Sequence, residues 1–121
     1  MQFSAICYNL LSDTSEAANY VTTGLWSQYA VDEAVKFSRP NEVTNSRALD
    51  YSGVAEHSEW RIDPSAKFFH YCDNETVQGI EFHDFPFDKV PEGQILVCDM
   101  SSNLCSREID WSKYGVVYAG A

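Results

Sequence analysis

The sequence predicts an α/β chain built on a mostly parallel sheet, and three observations lead there. A short β-branched run, Asn19-Tyr20-Val21-Thr22-Thr23, is closed by Gly24 and followed by helical spacing from Trp26 to Phe37. Two late segments, Gln94 to Cys98 and Gly115 to Tyr118, are almost wholly apolar, as strands covered on both faces are. No internal repeat, low-complexity tract or long linker interrupts the chain. With 121 residues, 45% of them hydrophobic, one domain or part of one is the expectation.

The first apolar run, Phe3 to Leu11, is ambiguous by periodicity alone, but its spacing fits a helix buried on more than one side. In the Trp26 to Phe37 helix, Trp26, Ala30, Ala34 and Phe37 fall along one stripe, and Asp32 and Lys36 are spaced to pair at i,i+4 outside it. Beyond Arg39-Pro40, residues Asn41 to Thr44 form either a second strand, completing a strand–helix–strand unit, or a loop. Lys67 to Cys72 is a further strand, while Asn74 to Phe82 and Ser101 to Lys113 read as turns and short pieces. A strand that stops at the last residue, Ala121, suggests truncation.

Charge narrows the partners. Eight Lys and Arg against 18 Asp and Glu give a net charge of −10, which disfavours nucleic-acid backbones and anionic membranes. No apolar stretch approaches the length of a membrane span, and Met1 to Leu11 lacks the pattern of a secretory signal, so a soluble, cytoplasmic protein is expected. Cys7, Cys72, Cys98 and Cys105 have no paired C-x-x-C spacing, which argues for reduced, packed thiols over a zinc site or a disulfide framework.

Open parallel sheets bind ligands at the carboxyl ends of their strands, and three polar groups fall at such ends. Asp99 follows Ile95-Leu96-Val97-Cys98 and is either a turn or cap aspartate or the partner of a cationic ring nitrogen. Trp26 follows a glycine turn and is either a core residue or a ring laid over a flat ligand. Thr76, in Asn74-Glu75-Thr76, either makes a local turn bond or faces a ligand with its hydroxyl. His57, His70 and His83 are scattered, no nucleophile elbow accompanies them, and they receive no catalytic role. Asp84, Asp88 and Glu92 read as a solvated acidic surface.

Five segments, in order, resemble the phosphoserine aminotransferase family over essentially the whole chain. They are Gln2-Phe3-Ser4-Ala5, Tyr20 to Ser27 (YVTTGLWS), His70 to Thr76 (HYCDNET), Cys98 to Ser102 (CDMSS) and Tyr114 to Ala121 (YGVVYAGA). The resemblance implies the large domain of an aspartate-aminotransferase-like, fold type I enzyme that uses pyridoxal phosphate and works as a homodimer. Residues 1–121 would then be a partial cofactor-binding domain, truncated at both ends. It further implies that Trp26 stacks on the pyridine ring, Thr76 hydrogen-bonds near the phenolic oxygen and Asp99 pairs with the pyridinium nitrogen.

The family's activity, transfer of an amino group between glutamate and 3-phosphohydroxypyruvate to give phosphoserine and 2-oxoglutarate in serine biosynthesis, is the implied function of the parent. In the family the Ala-Gly-Ala end is followed by a glutamine and the Schiff-base lysine, and Lys36, Lys67, Lys89 and Lys113 do not match that position. The family's glycine-rich phosphate turn precedes Gln2-Phe3. The fragment alone is therefore expected to be inactive. Another enzyme on the same scaffold, such as a desulfurase, would keep Asp99 but not Trp26 together with Asn74-Glu75-Thr76.

Overall fold

In a computed structural model, which describes residues 1–120, the chain forms two α-helices, a five-stranded sheet and a small ribbon. In order these are α1 (Gln2–Leu10), β1 (Ala17–Thr22), α2 (Leu25–Ala34), β2 (Arg39–Asn45), β3 (Phe68–Cys72), β4 (Asn74–Glu75), β5 (Ile80–Glu81), β6 (Ile95–Asp99) and β7 (Val116–Tyr118). The sheet order is β2-β1-β3-β6-β7 with every pair parallel, and β4 and β5 form an antiparallel hairpin. The strand–helix–strand expectation holds, and the Asn41 to Thr44 ambiguity resolves as strand. Its Arg-Pro-Asn-Glu start suits an edge, where Pro40 need not donate to a second neighbour.

Central strands are covered on both faces, so every residue of β1 and β3 is buried. On one face Ala18, Tyr20, Phe68 and Val97 pack against Ile6 and Cys7 of α1 and Ala30, Val31 and Ala34 of α2. On the other, Val21, Phe69, Tyr71, Leu96 and Cys98 meet Trp60, Phe82, Phe85 and Met100 from the connections. Both helices thus lie on one face, and irregular chain covers the other. Aromatic rings let it do so: Tyr71 and Phe85 stack with centroids 3.8 Å apart, and Phe82 and Trp60 pack around Phe85.

One buried polar residue of β1 is fully used. Asn19 donates from Nδ2 to Asp63 O (2.9 Å) and Gln94 Oε1 (3.0 Å), and its Oδ1 accepts from Asp63 N (3.0 Å) and Asn41 Nδ2 (2.7 Å). A satisfied amide of this kind ties the strand to two connections without the cost of a stranded polar group.

Four local expectations need correction. α1 is buried along one line only, Ile6 and Cys7, while Tyr8 is 71% exposed, because the helix lies on the outside of the layer. α2 ends at Ala34, and the residues after it tighten into turns, so Lys36 meets Glu33 rather than Asp32 and Asp32 accepts from Gln28 Nε2 at 2.9 Å. The buried stripe of α2 is Ser27, Ala30, Val31 and Ala34, with Trp26 41% exposed at the first turn. Cys7, Cys72 and Cys98 are buried free thiols as expected, whereas Cys105 is exposed.

Candidate functional site

Because the five strands run in one direction, the polar residues after β1, β3 and β6 gather on one edge of the sheet. A cavity of about 430 Å³ lies there, lined by Trp26, Cys72, Thr76, Asp99, Ser101 and Tyr118, with Met1, Gln2 and Phe3 at the start of α1 on its wall. The structure brings together all three residues singled out in the sequence. His57 and His83 are exposed and His70 is buried; none of the three lines this cavity.

Asp99 closes β6 and is 5% exposed. Its Oδ1 accepts from Ser101 N at 2.9 Å and Ser101 Oγ at 2.6 Å, and Ser101 Oγ in turn accepts from Gly120 N at 3.1 Å. Its carbonyl accepts from Asp73 N at 2.9 Å. The carboxylate is thus held on one oxygen by Ser101, which Gly120 steadies in turn, while the backbone of Asp99 is tied to the end of β3.

Trp26 and Thr76 hold each other. Indole Nε1 donates to Thr76 Oγ1 at 3.1 Å, which leaves the hydroxyl proton free for another acceptor. Behind them sits Glu75, fully buried, whose Oε2 accepts from Trp26 N (2.9 Å) and Oε1 from Ser27 N (2.8 Å). Gln78 Oε1 accepts from Leu25 N at 2.9 Å, and Ser27 Oγ accepts from Thr23 N and Gly24 N. Glu75 and Gln78 thereby satisfy the first three N–H groups of α2, and a carboxylate complements the positive end of its dipole.

The tightness of this cap explains Gly24. A Cβ there would stand 2.5 Å from Gln78 Oε1 and 2.7 Å from Glu75 Cδ, so only hydrogen fits. The β4–β5 turn that delivers Glu75 needs Gly79 at φ +74°, the left-handed region, and Gly79 N donates to Glu75 O at 2.8 Å.

Beyond the cavity, Asp73 is buried and takes Arg107 Nη2 at 2.7 Å and Asn103 Nδ2 at 2.6 Å, while Glu81 Oε1 takes Asn103 Nδ2 at 3.0 Å. These bonds tie the segment after β6 to the hairpin, so the Ser101 loop is anchored at both ends. Sequence reading gave Glu75 and Arg107 no role. The one signal available was a glutamate in the turn-forming stretch that follows an apolar strand; its partners lie 48 and 49 residues away.

His70, in β3, is 2% exposed, and burial alone pushes its pKa from the ordinary 6.5 down to about 3. The folded chain therefore stays unprotonated between those values while the unfolded chain takes up a proton. Stability is full above about pH 6.5 and falls as pH drops toward 3, by up to roughly 1.4 kcal/mol per unit. Urea midpoints between pH 7 and about pH 5, above the range where carboxylates protonate, are expected to show this slope in the native chain and lose it in His70→Gln.

A parallel sheet whose strand ends surround a buried carboxylate, a hydroxyl and an indole has the architecture of the large domain of fold type I, aspartate-aminotransferase-like enzymes. No protein-family model matches the chain. A phosphoserine aminotransferase of Drosophila melanogaster is 48% identical over 120 residues, which cover 99% of this chain and 32% of that protein. The solved phosphoserine aminotransferase of Bacillus circulans subsp. alkalophilus superposes with a TM-score of 0.89 at 34% identity, over 98% of this chain and 32% of that one. The pyridoxal-phosphate-bound enzyme of Trichomonas vaginalis gives 0.83 at 38% identity, with the same two coverages. The chain belongs to the phosphoserine aminotransferase family and spans about a third of the length of the relatives it matches.

Proposed function

We propose that these residues form the ring-binding part of a pyridoxal-phosphate site in an enzyme that transfers an amino group between glutamate and 3-phosphohydroxypyruvate, giving phosphoserine and 2-oxoglutarate. The observation that carries this reading is the buried Asp99 carboxylate, fixed on one oxygen and facing a cavity that Trp26 and Thr76 also line.

The donor set fits such a cofactor. A carboxylate suits a protonated ring nitrogen, a hydroxyl with a free proton suits a phenolic oxygen, and an indole offers a flat face. The N-terminus of α1, on the same cavity, suits a phosphate. Once bound, the cofactor would supply an electron sink for the carbon that loses its proton. Asp99 would keep the ring nitrogen protonated, Thr76 would orient the ring through its oxygen, and Trp26 would cover the ring and exclude water.

Among the described residues, none of the four lysines lines the cavity, so the amine that bonds to the cofactor is assigned to chain beyond Ala121. On this reading residues 1–121 are a partial cofactor-binding domain, inactive alone, of a cytoplasmic homodimer acting in serine biosynthesis on small-molecule substrates.

The test uses the intact enzyme. With pyridoxal phosphate present, phosphoserine and 2-oxoglutarate are expected to yield glutamate, and serine in place of phosphoserine is expected to yield far less. Equal rates with serine, or no glutamate at all, would refute the assignment.

A further inference from the structure

The β6–β7 ladder pairs Asp99 with Tyr118, and both side chains line the cavity. Residues directly opposite in a ladder project to the same face. The Tyr118 hydroxyl reaches across β6 to lie 2.9 Å from Nε2 of His70 on β3, two strands in. The edge of Phe3 (6.2 Å between centroids) and the stacked His70 ring (6.1 Å) hold the phenol in place.

The imidazole fixes the direction of this bond. His70 Nδ1 is buried with no hydrogen-bond partner among the described residues. If the phenol donated to Nε2, the ring's own proton would sit on Nδ1 as a buried N–H with no acceptor. Stranded N–H groups are rarer than stranded acceptors. The proton therefore belongs on Nε2, which donates to the tyrosine oxygen. Burial pushes the phenol far above its ordinary range, and the neighbouring Asp99 charge pushes the same way, so Tyr118 keeps a proton to give.

We propose that His70 and Tyr118 form a directed hydrogen-bond chain, Nε2–H to phenol oxygen and phenol O–H to the Asp99 carboxylate, which positions that carboxylate against the cofactor's ring nitrogen. This rests on the reading of Asp99 given above. Tyr118 and His70 touch neither reacting atoms nor substrate in this scheme; they are positioning residues. Ser101 holds the carboxylate on one side and the phenol takes the other, leaving its remaining face for a cation.

The test compares pyridoxal phosphate with its 1-deaza analogue, in which carbon replaces the ring nitrogen, as ligands of the apoprotein prepared from the intact enzyme. Wild type is expected to prefer the nitrogen-bearing ring. Tyr118→Phe, which keeps the packing, is expected to cut that preference roughly tenfold by weakening pyridoxal phosphate alone. Equal weakening of both ligands, or an unchanged ratio, would overturn the Tyr118 role and leave the Asp99 reading standing. No preference in wild type would overturn both. An independent check needs no variant: side-chain ¹⁵N shifts of wild-type His70 at neutral pH are expected to place the proton on Nε2, and a proton on Nδ1 would overturn the chain.

Discussion

Asp99→Ala in the intact enzyme is expected to lower the rate of amino-group transfer at least roughly 100-fold, the equivalent of about 3 kcal/mol for removing one member of a buried charge pair. Two losses combine in that variant. The ring nitrogen loses its anion, and Ser101 N and Oγ lose the acceptor that fixes the loop. Asp99→Asn separates them, because its side-chain oxygen still accepts both bonds while its charge is gone. Rate and thermal midpoint measured on both variants therefore give a clear pattern: Asn loses nearly as much rate as Ala but keeps most of the stability. An Asn variant with near-native activity would remove the electrostatic role.

Glu75→Ala is expected to destabilise the fold by about 3 to 5 kcal/mol, since two charge-assisted bonds to α2 disappear and a fully buried space opens. Glu75→Gln, which retains one acceptor oxygen, is expected to cost roughly half. Denaturant midpoints measure both. Cofactor affinity should fall with them, because the Trp26 backbone is held by this carboxylate and its indole by the next residue, Thr76. A loss below about 1 kcal/mol for the alanine variant would mean that Gln78 and Ser27 suffice to cap the helix.

Much of this architecture is legible before any coordinates. The strands β3 and β6 announce themselves because a strand covered on both faces must be apolar almost throughout. β1 does so by its β-branched run closed by Gly24, and β7, although only half-buried at the edge, by being equally apolar. β2 does not, since an edge strand tolerates Arg39, Pro40, Asn41 and Glu42 and so resembles a loop. Asp99 is legible because it follows an apolar strand directly.

Glu75, Tyr118 and His70 are not legible, for a common reason. Each acts through a partner fixed only by tertiary pairing: Glu75 reaches α2 across 48 residues, and Tyr118 meets Asp99 by ladder register and His70 across 48 positions. The length of α1 was readable, but its outward side was not, because periodicity cannot tell which neighbours a helix will find. The Lys36–Glu33 pair escaped for a smaller reason, the tightening of the chain after Ala34.

The strand order also carries a consequence for synthesis. After β1 and β2 pair, β3 joins the free side of β1, β6 joins β3, and β7 joins β6, so the sheet widens in one direction as the chain lengthens. Each newcomer meets an edge that earlier chain has already laid down, and no strand has to be threaded between two others after β3. The pieces of the cavity arrive in the same sequence: the indole with α2, the threonine with the hairpin, the carboxylate with β6, and the phenol of β7 after it. A ribosome-bound chain would thus expose an open sheet margin beside β6 until β7 docks, and that side of the cavity would close only then.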